Sequence, residues 1–406
     1  VLSLWTWNLK ASEIIPEYTS NWYSGPAMKI GAGVIVGEAN TIAHASGYHV
    51  VGGECGSVGL AAGYTQGGGH SMLNTAYGMA ADQVLEWEVV TPQGELLIAT
   101  PEKNSDLYWA LSGGGGGTFG VVLSMTARIY PEVAVAGGQL SFQNTNETSF
   151  WKGVSLWFGH SRALANDNNT IIFLVHHDHF QVVAMTLPGQ PETAVSDLLS
   201  PVLSELESLG IEYRFNTLSS SSYFEHFKTH FGPLPYGPNP PSTILINRII
   251  PEAVVQSETS NAEWMSAVRS TVAGGDFLVG CAIMLVGNAT HPPNAVLPAW
   301  RKTSVSCNVN AYWNYRAPLS TNLELKRRLV EEHMPALEAA TPGGGVYLNE
   351  MDPWYKGDWK ANLYGDNYDR LLDIKHRVDP DFLFWGNFSV ASDERVLHGN
   401  GRLCKV

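Results

Sequence analysis

Residues 52–82 read GGECGSVGLAAGYTQGGGHSMLNTAYGMAAD. Eight glycines fall within the first eighteen of these residues, ending at Gly69. No packed helix interior or ordinary strand needs so many. Glycine permits positive φ and lets another group come close to the backbone. Cys55 lies inside the run, and the small-residue segment Asn74 to Ala81 follows it. Two readings fit: a cradle for a large planar or anionic ligand with a sulfur beside it, or a set of tight turns around a free cysteine. The cradle reading also calls for a strand and a second Gly-rich loop downstream, and both are there. QVLEWEVVTPQGELLIAT (83–100) reads as a β-hairpin turning at Pro92-Gln93-Gly94. GGGGGTFGVVLSMTARIYP (113–131) reads as a Gly loop feeding a strand that stops at Pro131. Glycines running straight into a buried strand argue for close packing.

Upstream, MKIGAGVIVGEAN (28–40) reads as a strand, a turn and the start of a helix, and YHVVGG gives another strand. Ser105 to Leu111 reads as a short helix. Beyond residue 132 the glycine clusters vanish. Strand-like runs at 171–186, 243–250, 277–287 and 304–313 alternate with helix-like runs at 190–210, 260–272 and 323–340. The 190–210 run reads as two short helices or one kinked at Pro201. Strands separated by helices suggest an α/β, substrate-facing unit. The Pro-rich stretch 231–242 reads as surface, a rim of the cleft. His176, His177 and His179 raise the question of a metal. Strand alternation puts His177 and His179 on one face with Phe173 and Val175. No carboxylate at helical spacing completes a site, so the segment reads as sheet surface or active-site lining, and no metal is expected. The tail returns to polar and aromatic chemistry, with DNYDRLLDIKHRVDP (366–380) as a helix.

A chain of 406 residues points to two domains or one elaborated domain. The net charge is −14 with scattered basic residues, which argues against a nucleic-acid partner. No apolar run approaches bilayer length, so no membrane partner is expected. The cysteines Cys55, Cys281, Cys307 and Cys404 form no metal pattern and no disulfide-dense scaffold. Sequons at Asn146, Asn168, Asn288 and Asn387 give weak support for a secreted glycoprotein. The opening, VLSLWTWNLKAS, suggests processing or a piece of a longer chain.

Six segments together carry a resemblance: 30–34, 50–71, 77–96, 106–124, 347–352 and 367–384. With them the chain resembles the FAD-linked oxidases of the berberine bridge enzyme type, in the vanillyl-alcohol oxidase superfamily, closest to its fungal secreted branch. The resemblance implies an α+β, two-domain FAD-binding fold of the vanillyl-alcohol oxidase type, with a central antiparallel-sheet substrate domain. Residues 1–134 and 355–406 would form the FAD-binding domain and 135–354 the substrate domain. FAD would be the cofactor. Cys55 matches the family's flavin-linking cysteine, although Gly56 stands where a proline is usual. A thiolate is a nucleophile that suits an electron-poor ring. The histidine that provides the second link would lie outside this chain, in an N-terminal fragment of the same precursor.

By the same resemblance, Gly56, Ser57, Val58 and Gly59 would run past the flavin ring, and Gly63, Gly67, Gly68 and Gly69 would shape the next turn. Gly116, Gly117, Thr118, Gly120 and Val122 match the second cofactor contact. Tyr347 and Asn349 match a Tyr-x-Asn pair beside the reactive end of the flavin. Tyr347 would take the substrate proton if a positive neighbour lowered its pKa. Glu350 is the rival base, placed on the opposite face by strand alternation. Tyr64, Gln66 and His70 would line the site. The implied function is an oxidase acting on an alcohol, sugar, amine or secondary metabolite, with molecular oxygen as electron acceptor. Val58 carries the oxidase reading, because in the family a Val over the ring edge accompanies oxidases. The alternatives are a dehydrogenase that reacts poorly with oxygen and a non-catalytic secreted protein that keeps the fold.

Overall fold

The computed structural model describes residues 4–237, 242–286, 290–399 and 401–406. Two antiparallel sheets dominate it. The first contains β1 (Ser12–Thr19), β2 (Ser24–Gly31), β3 (Tyr48–Val50), β4 (Val84–Val90), β5 (Leu96–Ala99) and β6 (Val121–Pro131). Its order is β1-β2-β6-β4-β5, with β3 also paired to β6. Alternation sets its faces: in β4, Trp87 and Val89 are buried while Glu86 and Glu88 are half-buried on the other side. Trp87 donates its indole N–H to Ser112 Oγ at 2.9 Å, which satisfies the one polar atom it buries. Phe119, at 0% exposure, fills the space below the second Gly loop, a burial worth roughly 1.5–3 kcal/mol.

The second sheet contains β7 (Val135–Gln143), β8 (Thr170–Val175), β9 (His179–Pro188), β10 (Tyr213–Ser220), β11 (Thr243–Pro251), β12 (Leu278–Ile283) and β13 (Thr303–Tyr312). Its order is β10-β7-β9-β8-β12-β13-β11. Every pairing is antiparallel, so the α/β reading of this region gives way to α+β. The run 171–186 is not one strand. It breaks at residues 176–178 into the β8–β9 hairpin, and His177 sits on the turn rather than on a sheet face. The run 190–210 forms one helix, Thr193–Ser208, with Pro201 inside it. Cys281 and Cys307 face each other across β12 and β13 and form a disulfide. Cys55 and Cys404 are free.

The tail packs back on the first sheet's loops. Helix Tyr368–Val378 lies against helix Ser105–Leu111, and Arg370 and Arg377 both pair with Asp106, at 3.1 and 2.7 Å. The buried Lys375 ammonium donates to the carbonyls of Thr118 (2.8 Å) and Phe384 (2.7 Å) and to Asp379 Oδ2 (2.6 Å). One cation thus fixes the second Gly loop to the tail. No described helix is long and apolar enough to cross a membrane. The sequon at Asn288 lies outside the described residues, as do parts of the Pro-rich stretch 231–242.

Candidate active site

The two Gly-rich loops are stitched together by one carbonyl. Gln66 O accepts from Gly113 N at 3.0 Å and from Gly115 N at 2.9 Å. This brings Gly116 over Gly63, where a Cβ on Gly116 would lie 2.8 Å from Gly63 Cα. Between the loops and the tail runs a groove of about 500 Å³. Gly63, Gln66, Gly116, Gly117, Thr118 and Val122 line one wall, with Gly120 beside them, and Tyr364 and Phe388 lie on the tail side.

A second chamber of about 390 Å³ is lined by Glu54, Cys55, Val58, Tyr64, His70, Tyr347 and Glu350. It meets the groove at Gly63 and Asn349, which line both. Local folding explains the meeting. Gly69 has φ +73°, and a Cβ there would come within 2.8 Å of the Tyr64 ring, so the turn accepts only glycine without strain. That turn lets the Tyr64 hydroxyl donate to His70 O at 2.7 Å. Across the chamber, Leu348–Glu350 form a single 3₁₀ turn rather than a strand. Glu350 therefore does not point away from Tyr347 and Asn349 and faces the same chamber, which corrects the alternation reading.

His70 sits between two carboxylates. Its Nε2 is 3.3 Å from Glu350 Oε1, and its Nδ1 is 3.7 Å from Glu54 Oε1. Burial pulls the imidazole pKa down, but Glu54 and then Glu350 outweigh it and raise it to about 9. Glu54 is pushed up, by burial first, with His70 opposing. Glu350 Oε2 also accepts from Asn247 Nδ2 at 3.1 Å, and Asn247 Oδ1 accepts from Tyr347 N at 2.8 Å. Asn349 Nδ2 donates to the Tyr347 hydroxyl at 2.7 Å and to Tyr64 O at 3.1 Å. Burial, and then Glu350, push the Tyr347 pKa up, the reverse of the lowering that base duty would need. Burial, then Glu54 and Glu350, raise the Cys55 thiol. Beyond His70, Asn247, Asn308 and Asn310 floor a further pocket of about 240 Å³ on the second sheet.

The residues singled out in the sequence divide into three sets. Cys55, Val58, Gly63, Tyr347, Asn349 and Glu350 gather at the chamber. Gly117, Thr118, Gly120 and Val122 gather at the groove. Gly56, Ser57, Gly59, Gly68 and Gly69 line neither cavity. Gly56 packs its backbone against Pro235 O, Gly59 bridges to Ile35, and Gly68 and Gly69 accept backbone bonds from Ala81 and Ala80. Glu54 and Asn247 were missed. Glu54 alone had a signal: it is a carboxylate inside a glycine run, next to Cys55.

Residues 24–100 match the family described as FAD binding domain, and residues 346–391 match the family described as Berberine and berberine like. The chain is 46% identical over 409 residues to the bifunctional decalin synthase calF of Penicillium decumbens, covering 100% of this chain and 71% of that protein. It is 42% identical over 411 residues to the VAO-type flavoprotein oxidase VAO615 of Thermothelomyces thermophilus, covering 100% and 71%. The chain belongs to the berberine bridge enzyme-like, vanillyl-alcohol-oxidase-type FAD-dependent oxidases. A solved VAO-type flavoprotein from Myceliophthora thermophila C1 superposes with a TM-score of 0.95 at 41% identity, covering 99% of this chain and 74% of that one. A carbohydrate oxidase from Microdochium nivale, at 20% identity and a TM-score of 0.73 over 90% of this chain and 78% of that one, shares the fold.

FAD is the cofactor of this oxidase family, and the groove suits it. Gln66 lies on the groove wall, and its buried Oε1 has no hydrogen-bond partner among the described residues. The glycine pair 63 and 116 lets the two loops touch backbone to backbone and close one wall of the groove, while a Cβ on Gly63 or Gly117 would meet nothing within 4 Å. Gly115, Gly116, Gly117 and Thr118 are the residues of the second Gly loop that would hold it, with Tyr364 and Phe388 of the tail also lining the groove.

Proposed function

We propose that this oxidase removes hydrogen from a C–H carbon bearing a hydroxyl or amine, on an alcohol, sugar, amine or secondary metabolite. Molecular oxygen is the final acceptor and becomes hydrogen peroxide. FAD, when bound, supplies the hydride acceptor at N5 and the oxygen-reactive reduced form. The observation that carries the reading is the placement of Glu350 in the chamber, next in sequence to Asn349 where the chamber meets the groove, held by His70 on one oxygen and Asn247 on the other. A carboxylate so fixed can accept the O–H or N–H proton as hydride leaves carbon. Tyr347 stays a neutral phenol and, with its oxygen already accepting from Asn349, has its proton free to donate to substrate oxygen. Cys55 is the proposed covalent anchor. It forms no disulfide and lines the same chamber, which supports that role.

Residues 1–134 with 355–406 are proposed as the FAD-binding domain and 135–354 as the substrate domain, in keeping with the bonds from Lys375 to Thr118 and Phe384. A further segment of the same precursor is proposed to complete the cofactor site, because the chain spans 71% of its relatives' length. Secretion is proposed from the Cys281–Cys307 disulfide and from exposed sequon residues Asn146 and Asn168. Asn387 fits glycosylation poorly, since it lines the groove and donates to Pro353 O at 3.1 Å.

The deciding experiment presents primary and secondary alcohols, reducing sugars and amines to the purified holoprotein in air and records oxygen uptake with peroxide. Peroxide equal to product supports the oxidase. Dye reduction with almost no oxygen uptake would instead establish a dehydrogenase. Peptide mapping of acid-denatured protein reads the Cys55 linkage. A Cys55 peptide of unmodified mass rules it out.

A further inference from the structure

The β8–β9 hairpin places three histidines around one carboxylate. His176 N donates to His179 O at 2.9 Å, closing a tight turn. Asn144 clamps that turn from β7's end, with its N donating to Asp178 O at 2.8 Å and its Nδ2 to His177 O at 2.9 Å. The backbone is therefore fixed before any ligand arrives. On it, Asp178 Oδ1 lies 2.7 Å from His179 Nδ1 and 3.8 Å from His177 Nδ1. The His176 and His179 rings stack with centroids 4.1 Å apart and planes 12° from parallel. One ligand atom each from His176, Asp178 and His179 fall within 4.8 Å of one another. Among the described residues, no other set of three His, Cys, Asp or Glu side chains brings its ligand atoms so close. The sequence pattern lacked a carboxylate at the right spacing only while the segment was read as a strand. On a turn, Asp178 supplies it.

We propose that His176, Asp178 and His179, with His177 beside them, form a binding site for a divalent transition-metal ion. Imidazole nitrogens with one carboxylate select zinc, copper or nickel over calcium and magnesium, which prefer all-oxygen shells. The ion would clamp the tip of the hairpin whose strands occupy the middle of the seven-stranded sheet. It lies apart from the redox chamber and takes no part in the oxidation.

The test is calorimetric titration of chelator-stripped full chain, carrying no polyhistidine tag, with zinc chloride and separately with calcium chloride. The same titrations are run on His179→Ala and on His176→Ala/His179→Ala. These side chains are on a partly exposed turn, and unchanged circular dichroism and metal-free melting temperature confirm that the variants fold. The expected result is one zinc equivalent bound by wild type, weakened at least about tenfold in the single variant and abolished in the double variant, with no calcium heat. Absence of zinc binding to wild type overturns the proposal. So does zinc binding that the double variant leaves unchanged.

Discussion

His70 Nε2 lies 3.3 Å from Glu350 Oε1, so residues 280 positions apart in sequence meet as one sheltered pair. Their side chains are only 15% and 20% exposed. With Glu54 on the other side, the imidazole is charged at neutral pH, since its pKa is raised from 6.5 to about 9. A raised folded-state pKa contributes stability that is complete below the unfolded value of 6.5 and disappears as pH climbs through about 9. The melting temperature of wild type is therefore expected to fall across this window by more than that of His70→Gln. Parallel melting curves for the two proteins over the window would contradict the charge assignment.

Gly116→Ala is expected to lower cofactor content and leave the fold intact. The new Cβ would sit 2.8 Å from Gly63 Cα, backbone that cannot swing aside. Overfilling of this kind costs roughly 1–3 kcal/mol. The clash falls between two loops at the groove, so the flavin-to-protein absorbance ratio should drop while circular dichroism stays unchanged. An unchanged ratio would show that this contact between the loops does not shape the cofactor groove.

Lys375→Met is expected to destabilise the protein by about 3–5 kcal/mol, because it strands the buried Asp379 carboxylate and two carbonyls without their cation. Burial already pulls the lysine pKa down, against the pull of Asp379, so the ammonium persists only because its partners surround it. Denaturant unfolding reads the loss. A change below about 1 kcal/mol would mean that the tail is tied to the second Gly loop by other contacts.

The glycine loops and the tail helix were legible because their signals are local: glycine density, a Pro stop, a 3.6-residue period. The hairpin at 176–178 was not, since HHDH contains no Gly, Pro or Asn to mark a turn. Strand β7 was hidden by Gly137 and Gly138. The structure explains that pair: a Cβ on Gly138 would lie 2.8 Å from Val195 Cγ1, so a helix packs where side chains would stand. Strand β10, FNTLSS in its middle and end, carries too few apolar residues for its period to show. In the site, resemblance singled out Cys55 and Tyr347, and Glu350 stood out as the carboxylate beside them. The position of Glu350 was not legible, because the turn that aims it at His70 depends on partners such as Asn247 more than a hundred residues away. The Cys281–Cys307 disulfide is likewise a product of strand register, which no spacing rule reveals.

Proton removal at the chamber is tested most directly by anaerobic stopped-flow reduction of Glu350→Gln and Tyr347→Phe beside wild type, on a substrate that the oxygen-uptake experiment identifies. Glu350→Gln keeps the hydrogen-bonding shape and removes the basic oxygen. Its bleaching rate at saturating substrate is expected to fall roughly 10²–10⁴-fold, with substrate binding little changed. Tyr347→Phe, which removes one neutral hydroxyl from the Asn349 contact, is expected to lose no more than about tenfold, the worth of one ordinary hydrogen bond. A Glu350→Gln enzyme that bleaches within about threefold of wild type, together with a Tyr347→Phe enzyme slowed a hundredfold or more, would contradict the assignment and return the proton to Tyr347.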